Sequence, residues 1–481
     1  MPLKYLGQIS NFGYRRILCG SCLAVALLIL PQPSTAETLA DVLAEAARSH
    51  PELKSQYEQV LAARESYVQA RSAWRPSAGI TGQVSTERDR PNAYGQINSS
   101  GLALSATQPL YTGGRGAAAV AEAKATLFAA KHSYDQALQS VLLQAATAYA
   151  DVQLAQNSLD IEVRNLAELR SHLDQSSAQK TAGDATRTDV AEAETRVALA
   201  DAATTSARGQ VEAAIAGFVQ AVGRPPQTLE PIPDLAPFTP PSLASALDAA
   251  DTENPALLAA ESTEHAARAG IDRARAGLRP SLSLTGSYGL SDTGYFGTDP
   301  FSQTGRKLSA GLSFSAPLLQ GGALQSQVRQ AAHLANAQRE TTEATRRQVL
   351  LVVTQSWSQA QAARRNFGLL GSAVDAAARA TEGVRQEEKA GFRSTFELLD
   401  AQSQLVTAET ARAQAAHDLF IAQATLLAAT HGLQTVAGVK DRLELGEDRL
   451  LRDATFSLGW TPWEDAVRVL DKLQEPRRVQ P

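Results

Sequence analysis

The constraint that dominates this sequence is that it is written twice. Laid on itself at an offset of 204 residues, Leu39, Leu43, Pro51, Leu53, Arg75 and Pro76 fall on Leu243, Leu247, Pro255, Leu257, Arg279 and Pro280. HPELKSQ lies against NPALLAA, and WRPSAGITG against LRPSLSLTG. Further along the offset is 208, so four residues enter a loop between the matched blocks. There Pro109, Gly113, Gly114 and Gly183 fall on Pro317, Gly321, Gly322 and Gly391. A period of about 200 residues is far longer than the ~20–50 of solenoid repeats and marks one duplicated structural unit. The stretch 223–241 holds seven of the 21 prolines and separates the copies. The expected organisation is a first repeat over 37–222, this linker, a second repeat over 242–432, and a tail over 433–481 with no second copy.

Each copy carries the same order of elements. A helix of about 37 residues is expected to end at Arg75 and at Arg279, because a proline drives the residue before it out of helical geometry. Period-2 stretches follow. Leu282, Leu284, Tyr288 and Leu290 alternate with Ser281, Ser283, Thr285 and Ser287; Leu308, Ala310, Leu312, Phe314 and Ala316 alternate with Ser309, Gly311, Ser313 and Ser315. The first copy repeats this more weakly, through Ala78, Ile80 and Val84, then Leu102, Leu104 and Ala106. The predicted strands are 77–88, 100–110, 281–291 and 307–317, apolar on one face and small and polar on the other. Next comes a run from Arg115 to Thr181 with no proline and no glycine after Gly116. Its counterpart, from about Ala323 to Ala390, tolerates Gly368, Gly371 and Gly383. At ~1.5 Å per residue such helices span roughly 100 Å, far beyond globular norms. A turn at Gly183 or Gly391 then leads into a return helix of about 35 residues.

Composition agrees with long, closely packed helices: aromatic residues make up only 5% of the 481, and alanine, the best helix former, is abundant. The first 36 residues differ. Lys4, Arg15 and Arg16 precede an apolar stretch from Ile17 to Leu30, then Pro31, Pro33 and Ser34-Thr35-Ala36, the layout of a secretory signal peptide cut after Ala36. Fourteen residues interrupted by Gly20 and Ser21 are too few to cross a bilayer as a helix. Cys19 and Cys22, the two cysteines of the chain, leave with that segment, and no cysteine at the cut invites a lipid anchor. Loss of three basic residues and no acids takes the net charge from −5 to −8. Nucleic-acid binding has no support in such a charge. The seven histidines are dispersed, with no metal-ligand spacing, and no nucleophile–base constellation is present, so neither metal, cofactor nor catalysis is expected.

Half-apolar strands about ten residues long fit two settings. One is a sheet on a soluble core, but helices about 100 Å long cover little sheet. The other is a membrane, where ~9–11 residues suffice to span, with lipid outside and water inside. A membrane sheet must close, and four strands are fewer than the about eight that make a barrel. Several copies must therefore share one barrel.

At this point the residues resemble a known family. The order signal peptide, helix, RPS-strand, hairpin, strand-PLxxGG, very long helix, AG turn and return helix, written twice, is similar to that of TolC-like outer-membrane factors. The duplicated PLYTGGR and PLLQGGA segments and the turn AGFRSTFELLD carry the likeness, which covers roughly residues 37–432. The resemblance implies a mixed α/β membrane protein, a homotrimer whose duplicated helix–β-hairpin–long-helix units build one 12-stranded β-barrel continued by a periplasmic α-helical barrel. It places the protein in the outer membrane of a Gram-negative cell, reaching into the periplasm. The implied function is the exit duct of a tripartite export system, with type I protein secretion favoured and multidrug efflux the alternative. A periplasmic adaptor (membrane fusion protein) and an energised inner-membrane transporter would dock at the helix tips near Gly183 and Gly391. A trimeric coiled-coil structural or adhesive surface protein is the rival of another class.

Gly391 is expected to cap its helix in left-handed geometry, and Ser394-Thr395-Phe396-Glu397 to open the return helix as a capping box; Thr186-Arg187-Thr188-Asp189 is a weaker version. Asp400 lies one turn beyond Glu397 on the same helix side, with no capping duty. In the resembled family this turn is the periplasmic gate, which implies a latch from Arg393 to Asp189 and a constriction ringed by Glu397 and Asp400. The aromatic partner expected near Glu388 is missing. Three copies of two acids about one axis would make a neck that favours cations. Gly113-Gly114 and Gly321-Gly322 lack the Lys-Ser/Thr of a phosphate loop. With Pro76, Pro109, Pro280 and Pro317 they read as bends from barrel to tunnel. Trp74 and Tyr111, near strand ends, fit an interfacial aromatic belt and simple packing equally.

Overall fold

The computed structural model describes residues 36–87, 97–183, 185–295 and 305–438, together with 451, 467 and 469. The expected signal peptide and most of the expected C-terminal tail lie outside these residues. In chain order the elements are α1 (Leu39–Ser49), α2 (Pro51–Arg71), β1 (Ser77–Glu87), β2 (Ile97–Tyr111), α3 (Arg115–Ala182) and α4 (Arg187–Val222), then α5 (Leu243–Glu253), α6 (Pro255–Ala276), β3 (Ser281–Tyr295), β4 (Gly305–Ser315), α7 (Ala323–Lys389), α8 (Thr395–Ala429) and the short α9 (Leu433–Val436). The duplication is thus visible element by element. Among the described residues no helix is long and apolar enough to cross a membrane.

The first helix of each repeat differs from the expected single rod of about 37 residues. It breaks once, at the same place in both copies. His50 (φ −61°, ψ 126°) and Asn254 (φ −66°, ψ 119°) are extended, each directly before a proline that opens the next helix. The proline ring excludes helical geometry at the preceding residue while its own fixed φ suits a first helical turn. His50 Nδ1 accepts from the Glu52 amide at 3.3 Å, and Asn254 Oδ1 accepts from the Ala256 and Leu257 amides at 3.0 and 3.2 Å. The capping residues therefore convert a break into a joint.

The four strands form one antiparallel sheet in the order β1-β2-β3-β4. Register joins Ile80 to Leu104, Leu104 to Tyr288, and Tyr288 to Leu308, an apolar row across all four strands. One residue over, Gly79, Ser105, Ser287 and Ser309 form a polar row on the opposite face. Ser287 and Ser309 hydroxyls lie 2.7 Å apart there. Alternation with period 2 sends every even-numbered apolar side chain to one face. The apolar row is uncovered: Ile80 is 70% exposed and Leu308 80%. Four open strands with an apolar face that no described helix covers match a membrane wall awaiting more strands.

Below the sheet α3 pairs with α4, and α7 with α8, while α2 and α6 flank α3 and α6 also packs on α7. The main core lies where α1, the middle of α3, the end of α4 and the end of α8 converge, around Leu43, Leu142, Tyr149, Phe218 and Phe420. The proline-rich stretch between the repeats is a strap on this core. Leu235 is buried and its amide donates to Gln423 Oε1 at 3.3 Å, while Glu37 bonds Thr228 and Glu230 backbone and pairs with Arg224. The two long helices differ sharply in what they bury. α3 buries 19 of its 68 residues and α7 only six of 67.

Candidate functional site at the paired helix turns

Both helix-to-helix turns take the form their sequences call for. Gly183 stands at φ 92° and Gly391 at φ 81°, left-handed positions that favour glycine. At the second turn the Phe392 amide donates to the Glu387 carbonyl at 2.8 Å and the Gly391 amide to the Glu388 carbonyl at 2.9 Å. That 6→1 and 5→2 pair is a Schellman motif, which satisfies carbonyls the helix end would otherwise leave open. Each return helix then starts from a reciprocal capping box. Asp189 Oδ2 accepts from the Thr186 amide and hydroxyl, both at 2.8 Å, and Thr186 Oγ1 accepts from the Asp189 amide at 3.2 Å. Glu397 Oε2 accepts from the Ser394 amide at 3.0 Å and hydroxyl at 3.1 Å. The first box is as complete as the second, so it is not the weaker version its sequence suggested.

Electrostatics concentrate on the second turn. Arg393 Nη1 donates to Glu397 Oε1 at 2.6 Å and its Nε to Glu387 Oε2 at 3.0 Å. The Ser394 amide and then the Arg393 guanidinium hold the Glu397 carboxyl below its usual range, and the bonds to Glu397 and then Glu387 raise Arg393. The Thr186 amide and hydroxyl likewise lower Asp189. The expected Arg393–Asp189 latch is not formed within the chain: Arg393 bridges two acids of its own turn, and Asp189 caps α4. The reason is proximity, since Arg393 sits in the turn between Glu387 at the end of α7 and Glu397 in the first turn of α8. Asp400, exposed on the same helix, accepts from Gln404 Nε2 at 2.9 Å.

Three contacts that sequence reasoning missed tie the two helix pairs together just above the turns. Glu168 of α3 pairs with Arg385 of α7 and accepts from Gln402 Nε2 of α8 at 2.7 Å. Arg196 of α4 lies over the Phe396 ring of α8, 5.5 Å from its centroid. Partners separated by 200 residues or more leave no local sequence signal.

At the other end of the helices, Pro109 lies where the β2–β3 register shifts, and Gly113 (φ 68°) and Gly114 (φ 88°) turn the chain from β2 into α3. Gly321 (φ 57°) and Gly322 (φ 82°) do the same between Pro317 and α7. Pro76 and Pro280 each directly precede a strand, β1 and β3. Trp74 is only 3% exposed and packs on Gly116, where a side chain would fall on the indole, so packing is its role. The matching positions in the second copy are Leu278 and Leu324, a large–small pair exchanged for two of medium size. Tyr111 is half-buried.

Comparison with known proteins follows the same division. A family model described as outer membrane efflux protein matches residues 42–224 and 246–432. The chain is 30% identical over 416 residues to the outer membrane efflux protein BepC of Brucella suis, covering 86% of this chain and 90% of that protein. It is 28% identical over 408 residues to the outer membrane protein TolC of Escherichia coli, covering 82% of each. Its fold matches the solved CmeC outer membrane channel of Campylobacter jejuni with a TM-score of 0.74 at 14% identity, over 88% of this chain and 90% of that one. A duplicated sheet with one lipid-compatible face, continued by helices of channel-like length, therefore has its counterpart in outer-membrane channels rather than in enzymes, and the chain belongs to the outer membrane efflux protein family, the TolC-like channels of the outer membrane.

Proposed function

We propose that this protein is the outer-membrane exit duct of a tripartite export system, three copies sharing one 12-stranded barrel and one periplasmic helical tunnel. The observation that carries the reading is the sheet, whose apolar row crosses all four strands uncovered while Ser and Gly line the other face. Lipid suits the first face and a water-filled lumen the second. The helices supply the length: 68 residues in α3 at ~1.5 Å each reach roughly 100 Å. The turns at Gly183 and Gly391 are the docking points for a periplasmic adaptor and an energised inner-membrane transporter. Asp189, Arg393, Glu397 and Asp400 form the gate region, and Glu168, Arg385, Gln402, Arg196 and Phe396 tie α7 and α8 to α3 and α4 in its resting arrangement.

Planar-bilayer recording tests the duct. Cation-selective channels are expected, with Glu397→Ala plus Asp400→Ala lowering that selectivity; a protein that never conducts, even with Arg393→Ala, is the structural or adhesive rival instead. Type I protein secretion is the favoured cargo class, since no cysteine follows Ala36 to carry a lipid anchor. Multidrug efflux is the second reading, favoured by the efflux name of the BepC relative. Deleting the gene separates them. Loss of a protein from the medium with unchanged drug susceptibility supports secretion, and the reverse supports efflux.

A further inference from the structure

Inside the chain, the bend at Gly113–Gly114 is closed by the second repeat. Arg279 Nη1 donates to the Gly113 carbonyl at 3.2 Å. A Cβ on Gly113 would stand 2.9 Å from Arg279 Cβ and 3.0 Å from the Pro280 carbonyl, so glycine is required by contact as well as by its positive φ. Leu110 and Tyr111, just before the bend, are half-buried. The equivalent bend at Gly321–Gly322 has the same left-handed pair of residues, and a Cβ on either glycine would meet nothing within 4 Å beyond its chain neighbours. Leu318 and Leu319, the counterparts of Leu110 and Tyr111, are 94% and 91% exposed. Two adjacent leucines laid bare beside an empty bend are a socket without its occupant.

The duplication says what the occupant is. Arg279–Pro280 leads into β3, the strand that pairs with β2; the counterpart of Arg279–Pro280 is Arg75–Pro76, which leads into β1. β1 is one edge of the sheet and β4 the other. We propose that Gly321–Gly322 receives Arg75–Pro76 of a neighbouring copy of this chain, so that the joint between copies repeats the joint within one. The inference rests on the ring assembly proposed above and goes beyond it by fixing strand register. Leu104 pairs with Tyr288, and Ser105 with Ser287; the two offsets carry these pairs onto Leu312 with Val84, and Ser313 with Gln83, of the next copy. Both offsets are even, so each residue keeps its face, as an apolar wall demands. Exposure agrees: Leu312 and Val84 stand at 67% and 86%, against 48% and 43% for Leu104 and Tyr288. A second feature fits independently. The pair Arg273–Glu122, which ties α6 to α3 at 3.2 Å, maps onto Gln69 and Gln330, so both members become neutral together and neither copy presents an unmatched charge.

Paired cysteines test the joint, read on non-reducing denaturing gels after oxidation of the membrane-assembled full chain. Gln83→Cys with Ser313→Cys, and Arg75→Cys with Gly321→Cys, are expected to lose the monomer band to covalent oligomers up to trimer. Arg279→Cys with Gly113→Cys closes within one chain and stays monomeric on the gel. Preferential linkage of Gln83→Cys with Gly311→Cys or with Ser315→Cys would mean a register slipped by two and would overturn the proposal. So would an assembly whose Gln83–Ser313 pair links while Arg75→Cys with Gly321→Cys does not. Light scattering in mild detergent keeps the two levels apart: a trimer without these links sinks only this joint, whereas a monomer sinks the ring assembly and the joint together.

Discussion

Glu397 does two jobs with one carboxylate, since it closes the capping box on Ser394 and accepts from Arg393. Its pKa is lowered, so its contribution is present above the ordinary value of 4.5 and is lost as pH falls through the lower folded value. Hydrogen-exchange protection factors at the α8 N-terminus, corrected for the intrinsic pH dependence of exchange, should therefore fall on acidification below 4.5, and those of Glu397→Gln should be low and nearly flat with pH. Unchanged protection of the wild type through that range would remove the carboxylate from the turn. His417 has the opposite sign. Its Nε2 meets Asp151 of α3 at 2.7 Å and its Nδ1 meets Asp418 at 3.3 Å; the Asp151 bond raises its pKa against the opposing effect of burial. The stability it adds is complete below 6.5 and is lost as pH rises through the raised folded value. Thermal midpoints measured upward from pH 6.5 should fall in the wild type and stay level in His417→Gln, an effect absent if Asp151 and His417 do not meet.

At the scale of elements, the joint before α6 is the more heavily loaded of the two proline breaks. Asn254 is 8% exposed; besides capping α6 it donates Nδ2 to the Ala429 carbonyl at the end of α8, 2.9 Å away. Asn254→Ala removes a cap worth about 1 kcal/mol and strands a buried carbonyl for roughly another 1–2. A loss of about 2–3 kcal/mol in denaturant-midpoint measurements is expected, with His50→Ala milder because its ring has no such second bond among its described contacts. The break obeys the rule that ends the helices at Arg75 and Arg279, since Pro51 and Pro255 exclude helical geometry at the residue before them; the single rod followed from apolar spacing that runs on through both prolines. Glu168 works at this scale too, holding α7 and α8 to α3 through Arg385 and Gln402. Half-exposed pairs of this kind are worth about 0.2–1 kcal/mol. Glu168→Gln should therefore raise channel open probability by no more than about fivefold, and single-channel recording that shows no rise would leave Glu168 with a purely packing role.

The whole molecule is lopsided in a way its sequence is not. Among the described residues α3 is enclosed by α1, α2, α4, α6 and α8, whereas α7 packs chiefly on α5, α6 and α8 and leaves Leu334, Leu351 and Leu369 exposed. Repeats of nearly equal length and matching motifs should bury alike if each had its neighbours. On the ring assembly proposed above, the missing neighbour of α7 is another copy. Leu351→Glu or Leu369→Glu should leave the helical circular-dichroism signal intact and shift the protein towards monomer in sedimentation. A trimer unaffected by both would place that face elsewhere.

The lengths of the long helices, strand alternation and both capping boxes were legible in the sequence. Each follows from residues close in the chain: a proline run's absence, a period of two, a Ser or Thr three before an acid. Asp189 and Glu397 were found this way, and both caps formed. Tertiary structure alone decided which charges meet, since Arg393 found Glu387 and Glu397 rather than Asp189, and Glu168 bridges helices more than 200 residues away in sequence. It also decided that two identical glycine bends differ, one filled by Arg279 and one empty. Local sequence prescribes the shape of each bend; only the arrangement of neighbours in space determines which bend finds its partner within the chain.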